Sequence, residues 1–143
     1  MAVSIREAIM ARLLVVLSGV TGGVDGRVYR SLADAMAFDE CPCITIEWQS
    51  DEGADEASSP LMHRHLSVAV NIFTRGEGPD TLADPIAQSV HSLIMADEQL
   101  AGNALWTRLG SASFEFENLD KNAGKTTAEY VVAYRHSYGD LAA

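Results

Sequence analysis

The sequence predicts an α+β fold in which two main helices pack on one face of a mostly antiparallel β-sheet of about five strands. Two patterns support this fold class. Residues 126–135 alternate along the chain with β-branched and aromatic side chains, which is typical of a half-buried strand. Residues 4–18 carry an apolar stripe at helical spacing instead. The segments follow the order α, β, β, β, α, β, β, and we expect them to form a single domain over residues 1–143.

The first helix is predicted over residues 4–18. Ser4 and Glu7 have the spacing of a capping box, in which a hydroxyl and a carboxylate satisfy free amides at the helix start. A glycine-rich segment at 19–23 ends the helix. The run from Leu13 to Leu17 is apolar all round, which exceeds what one core-facing stripe requires. The stripe itself consists of Ile5, Ile9, Leu13, Val16 and Leu17.

Three strands and an acidic loop are predicted between the two helices. The strands are expected at 26–30, 43–49 and 62–74, because apolar and polar residues alternate there. Residues 50–60 are rich in acidic and small side chains and cannot bury apolar surface, so we expect a solvated, mobile loop. Its carboxylates are Asp51, Glu52, Asp55 and Glu56.

The second helix is predicted over residues 85–96. Asp84 has the side chain of a helix cap, and Pro85 suits the first helical position. An earlier turn from Thr81 is an alternative start. The core-facing residues at helical spacing are Ile86, Val90, Leu93 and Ile94.

The chain closes with a predicted hairpin. A strand at 106–117 is joined by a loop at 119–125 to the closing strand at 126–135. Phe114 and Phe116 share one face of the first of these strands. In the closing strand, the expected core face consists of Ala128, Tyr130, Val132 and Tyr134, with Glu129 and Arg135 on the opposite face.

Charge and composition exclude some classes of function. The 143 residues include 10 Lys and Arg against 20 Asp and Glu, a formal net charge of −10. This charge repels phosphate backbones, so no sequence-specific nucleic-acid binding is expected. The apolar run at 13–17 is too short to span a membrane, and no membrane partner is expected. Cys41 and Cys43 stand too close for an unstrained disulfide, which favours a reducing, cytoplasmic compartment.

Residues capable of chemistry form no recognisable motif. His63 and His65 leave one face of a strand, as two metal ligands would, but no third ligand is indicated nearby. Cys41 and Cys43 lack the spacing of a structural zinc site. We therefore predict no catalytic, cofactor-binding or metal site, no cofactor and no enzymatic activity. A small ligand-binding protein or enzyme with a site assembled around the two histidines stays open as an alternative.

Taken in order, these segments resemble the phage tail terminator family, also called tail completion or minor tail proteins. The N-terminal helix, Val28-Tyr29-Arg30 and the strand start Pro42-Cys43-Ile44-Thr45-Ile46 carry the first half of the resemblance. The second half consists of Leu66-Ser67-Val68-Ala69-Val70, then Ala83-Asp84-Pro85-Ile86, then the strand from Thr127 to Arg135. The resemblance covers residues 4–136.

The resemblance implies a structural subunit that assembles with itself into a ring, expected to be a hexamer, without catalytic residues. Such a ring caps the tail tube, ends tube polymerisation and presents the joining surface to the head connector. The implied partners are the tail tube protein and the head–tail connector protein. The implied location is the tail of a phage or prophage virion, after assembly in the bacterial host cytoplasm. A head–tail connector or another neck component of similar fold is the structural alternative.

Candidate assembly-interface residues lie in three parts of the sequence. A ring requires heterologous interfaces, which exposed apolar or charged surfaces supply. The end of the first helix, the acidic loop and the outward face of the closing strand meet this requirement. The candidates are Leu14, Leu17, Asp51, Glu52, Asp55, Glu56, Glu129 and Arg135.

Overall fold

A computed structural model describes residues 3–30, 41–53, 61–117 and 120–143. Two helices and five strands follow one another in the predicted order. They are α1 (Ile5–Leu17), β1 (Val28–Tyr29), β2 (Cys43–Gly53), β3 (Leu61–Arg75), α2 (Pro79–Ala96), β4 (Trp106–Glu117) and β5 (Asp120–Ser137). The strands form one sheet in the order β1-β2-β3-β5-β4. Only the pairing of β1 with β2 is parallel, so the predicted mostly antiparallel α+β fold is confirmed.

Both helices pack on the same face of the sheet, and the core lies between them. From the sheet, the core takes the predicted faces of β3 and β5, including Val68 and Val70 opposite Tyr130 and Ala128. From the helices it takes the buried stripes of α1 and α2. These are Ile9, Met10, Leu13 and Leu17 in α1, and Pro79, Ala83, Ile86, Val90 and Ile94 in α2.

The start of α1 follows the capping prediction only in part. The Ser4 hydroxyl accepts a hydrogen bond from the Glu7 amide at 3.1 Å, as expected. The Glu7 carboxylate does not return to Ser4. It accepts a bond of 2.6 Å from Arg30, because a charged donor from the chain after β1 lies within reach.

The second helix begins earlier than predicted. It starts at Pro79 after Gly78, whose φ of 68° suits glycine, and Pro85 lies inside it. Asp84 is not the cap, since its carboxylate accepts a bond of 2.7 Å from the Gln88 side chain. The additional turns at the start of α2 are stabilised because Pro79 and Ala83 are buried against the core.

Two strands are longer than predicted. β2 continues to Gly53, opposite Arg64 of β3, so residues 50–53 belong to the sheet rather than to the expected acidic loop. The remaining part of that loop, 54–60, lies outside the described residues. β5 begins at Asp120 rather than at 126, so most of the predicted loop at 119–125 is strand. Pairing with β3 on one side and β4 on the other outweighs the local turn preference there.

Neither helix of the described chain combines the length and the apolar character that crossing a membrane requires.

Two neighbouring apolar residues of α1 are expected to differ sharply in their effect on stability. Leu17 is fully buried, whereas Val15 is 60% exposed. Leu17→Ala leaves a cavity and should lower the free energy of unfolding by about 2–4 kcal/mol, whereas Val15→Ala should change it by less than about 0.5 kcal/mol. Urea unfolding of both variants tests this, and equal losses would contradict the assigned orientation of α1.

Candidate assembly surfaces

A buried ionic group, here called the Asp51 cluster, joins α1 to three strands. It consists of Arg6, Asp51, Arg64 and Tyr134. The Asp51 carboxylate is 4% exposed and accepts bonds from Arg64 Nε at 2.7 Å and from Arg6 Nη1 at 3.1 Å. The Tyr134 hydroxyl donates to the same carboxylate. The charge of Asp51 is therefore balanced by two cations and a further hydrogen bond.

A bulge in β2 places Asp51 in this position. The pairing of β2 with β3 shifts between Trp48 and Ser50. Before the shift Trp48 lies opposite Val68, and after it Asp51 lies opposite Leu66, so both residues face the helices. In a regular strand, residues three apart would face opposite sides. The bulge therefore turns an acidic side chain toward the helix layer.

Burial and hydrogen bonding shift the ionisation of this cluster. The bond to Asp51 raises the pKa of Arg64, which stays cationic. Burial, with the bond to Asp51 as the next cause, raises the pKa of Tyr134 to about 12. The Arg6 guanidinium also lies 4.3 Å from the centre of the Trp48 ring. These contacts fix the start of α1 over β2.

The predicted interface residues fall in different environments. Leu17 is buried in the core and Leu14 packs partly against it, so α1 presents Val15 rather than Leu17 to solvent. Asp51 is enclosed in its cluster, whereas the adjacent Glu52 is exposed. Asp55 and Glu56 lie outside the described residues.

On the face of the sheet away from the helices, Glu129 belongs to a polar network with two serines. Its carboxylate accepts hydrogen bonds from Ser67 Oγ of β3 and from Ser111 Oγ of β4, the latter at 3.3 Å. Glu129 therefore links three adjacent strands within one subunit. Arg135 of the same strand is exposed and lies opposite His63.

A second polar row crosses the same face. The Thr127 hydroxyl donates to Asn71 Oδ1 at 2.8 Å. The Asn71 amide donates to Thr45 Oγ1 and to Glu47 Oε1, each at 3.2 Å. This row satisfies the buried polar groups of Asn71 and Thr45 without water.

Most of the exposed large apolar side chains of the sheet lie on β4. Leu109, Phe114 and Phe116 are all exposed, Phe116 to 52%, and the two phenylalanine rings meet edge to face at 5.1 Å. Sequence alternation indicates that the phenylalanines share a face. It does not indicate that β4 is an edge strand. Because β4 lies at the edge, the helices cover its apolar face incompletely.

The two histidines considered as metal ligands are not assembled into a site. The His65 ring packs 5.5 Å from the Trp106 ring, and His63 lies opposite Arg135. Within the described ranges, no three His, Cys, Asp or Glu side chains are grouped as a metal site would need. Three open depressions on the described surface contain neither histidine.

These features define a small α+β protein in which polar networks link the strands and several exposed apolar side chains lie on the outer strands of the sheet. No family model and no curated protein matches the sequence. Among solved structures, the fold is similar to a chain described as "Virion of native gene transfer agent (GTA) particle". The similarity has a TM-score of 0.59 and covers 93% of this chain and 92% of that chain, at 11% sequence identity. The two chains therefore share a fold over nearly their whole lengths.

Removing the charge of Asp51 is expected to destabilise the protein strongly. Asp51→Asn leaves two arginines without their shared carboxylate and should cost about 2–3 kcal/mol of unfolding free energy. Glu52→Gln, next to it but exposed, should cost less than about 0.5 kcal/mol. Urea unfolding with matched variants measures the difference, and similar small effects would show that the cluster contributes little.

Two tyrosines should make the protein less stable at high pH. Burial raises the pKa of Tyr130, like that of Tyr134, to about 12, against 10.0 for an ordinary tyrosine. The folded state thus retains protons that the unfolded chain releases, so this stabilisation is complete below pH 10 and is lost as the pH rises toward 12.

Phenolate absorbance tests the assignment of these two groups. The folded protein should show a phenolate absorbance step near pH 12. Each of the variants Tyr130→Phe and Tyr134→Phe should reduce that step and leave the step near pH 10 unchanged. Loss of the step near pH 10 in either variant would contradict the raised pKa of that residue.

Proposed function

We propose that this protein is a structural component of a phage-like virion and acts as its tail terminator. In this role, copies of the chain form a ring, expected to be a hexamer, that caps the tail tube and ends its polymerisation. The opposite side of the ring joins the head–tail connector. The partners are therefore other copies of this chain, the tube protein and the connector protein.

The observation that carries this proposal is the similarity in fold to a chain of a gene transfer agent virion, which covers nearly all of both chains. The similarity extends over 93% of the chain, so it involves the whole subunit rather than a local motif. The order of elements also agrees with the resemblance to tail terminators in the sequence.

The distribution of polar and apolar groups also favours assembly over chemistry. The carboxylates of Asp51 and Glu129 accept hydrogen bonds from other side chains of the same subunit. These bonds engage them in holding the sheet and the helix together rather than in binding a substrate. Exposed apolar side chains of the sheet lie on its outer strands, with Trp48 on β2 and Leu109, Phe114 and Phe116 on β4. Exposed apolar groups grouped in this way are typical of protein–protein contacts.

Tail morphology should reveal the role directly. Deleting the coding sequence from the virus that carries it should yield tails of irregular length and heads without attached tails. Supplying the intact gene in trans should restore uniform tails, as electron microscopy would record. Supplying a gene with an early stop codon is the matched control.

Other outcomes separate the competing functions. Tails of normal length that fail to join heads would favour the alternative role as a connector or neck component. Normal particles with normal infectivity would contradict any essential virion role.

A further inference from the structure

The sheet has two lateral edges that differ in composition. On one side β4 is the last strand over its whole length, Trp106–Glu117. On the other side β1 pairs with β2 only at Ile44 and Thr45. Beyond Thr45, no strand in the described part of the chain pairs with the outer side of β2. Both edges therefore present backbone groups that another strand can pair with.

The directions of these edges are compatible with each other. β2 is antiparallel to β3, β3 to β5, and β5 to β4. Consequently β4 runs opposite to β2. If copies are related by rotation about an axis along the strands, β4 of one copy meets β2 of the next in an antiparallel orientation. The alternation of strands then continues unbroken from subunit to subunit.

The helix-facing sides of the two edges both carry exposed apolar side chains, although Arg6 lies over one face of the Trp48 ring. On β4, Leu109 and Phe114 are exposed and lie opposite Tyr130 and Thr126 of β5. On β2, Trp48 is exposed and lies opposite Val68. Joining the edges would bring these side chains together and remove them from water, which favours association.

The other side of each edge carries opposite charge. Arg108 of β4 is exposed and lies opposite Val131. Glu47 and Glu52 of β2 are exposed and lie opposite Ala69 and His65. All three charged residues thus project from the face away from the helices. The two edges are therefore complementary in charge on this face, and both carry exposed apolar side chains on the other.

These charges are available for a partner. Arg108 makes no ion pair within the described residues, and its guanidinium carbon lies over the Trp106 ring, 4.4 Å from the ring centre. The neighbouring Glu115 is already bound to Lys125 Nζ at 3.0 Å. Glu47 and Glu52 likewise have no cationic partner in the described part of the chain, although Glu47 Oε1 accepts a hydrogen bond of 3.2 Å from the Asn71 amide. A guanidinium stacked on a ring keeps its N–H edges free to bind carboxylates.

We propose that β4 of one subunit pairs with β2 of the next copy, head to tail, and that Arg108 binds Glu47 and Glu52 of that copy. The occupant of each edge is a second copy of this chain, because the complementary surfaces lie at opposite ends of the same subunit. Such a heterologous contact closes into a ring when the rotation permits. This inference rests on the proposed ring and specifies its interface.

Charge reversal and mixing test the interface. The wild-type protein should assemble, as multi-angle light scattering and native mass spectrometry would show. Arg108→Glu alone and the double variant Glu47→Arg/Glu52→Arg alone should each weaken association at least about tenfold, because like charges then face each other. Mixing the two variants should restore assemblies that contain both, because every contact is again between opposite charges.

Two controls separate assembly from folding and from total charge. Circular dichroism and thermal unfolding should show that both charge-reversed variants fold as the wild type does. Arg135→Glu makes the same charge change as Arg108→Glu, on the same face but in β5 inside the sheet. It should leave assembly unchanged.

The remaining outcomes each overturn a definite part of the proposal. Rings that persist in Arg108→Glu would reject this interface and leave the tail terminator proposal intact. Loss of assembly without rescue by mixing would also reject it, and would favour a symmetric contact between two β4 strands. A wild-type chain that stays monomeric at all concentrations would overturn both the interface and the ring.

Discussion

The pairing of β3 with β5 is the constraint on which the rest of the structure depends. These two strands run antiparallel from Leu61 opposite Ser137 to Arg75 opposite Ala123, at the centre of the sheet. Their register determines which residues of the two strands point to the same face of the sheet, so Val68 and Tyr130 both face the helices. A slip of one residue would turn both apolar faces toward solvent, which makes the register strongly specified. The helices, the outer strands and the polar rows all take their positions from this pair.

The Asp51 cluster shows how the helix layer is fastened to that sheet. Removing a carboxylate from water is costly, and the cost is offset only when charged and hydrogen-bonding partners surround it. Here the partners come from α1, β3 and β5, which are distant in sequence and adjacent in space. The cluster therefore specifies where α1 begins over the sheet, whereas the apolar stripe of α1 supplies most of the burial. The bulge after Trp48 makes this arrangement possible.

The functional surfaces follow from the same architecture. Because β3 and β5 occupy the centre, β4 and β2 are left with outer sides that the subunit itself does not pair fully. The Asp51 carboxylate and the Asn71 side chain are hydrogen-bonded within the subunit, and several large apolar side chains are exposed on the outer strands β2 and β4. This arrangement fits the proposed role in assembly. The fold similarity to a virion chain accords with such a role.

The sequence by itself determined the order and type of the helices and strands and most of the residues on their core faces. The side-chain periods of about 2 residues in a strand and about 3.6 residues in a helix are local properties of the chain. Tyr130 and Val132 in β5, and Ile9 and Leu13 in α1, could therefore be assigned to the core from their spacing alone. Only the tertiary structure decided that Asp51 is buried, that β5 starts at Asp120 and that β4 is an edge.

The physical reason is that these features depend on partners far away in the chain. A bulge, a strand extension and an edge are defined by what pairs alongside. The candidate interface residues also fall into those that the sequence identified and those that only the tertiary structure identified. The sequence identified Glu52 as a candidate interface acid, whereas the position of Arg108 on an edge strand, on which its proposed pairing with Glu52 of another copy rests, became evident only when the order of the strands was known.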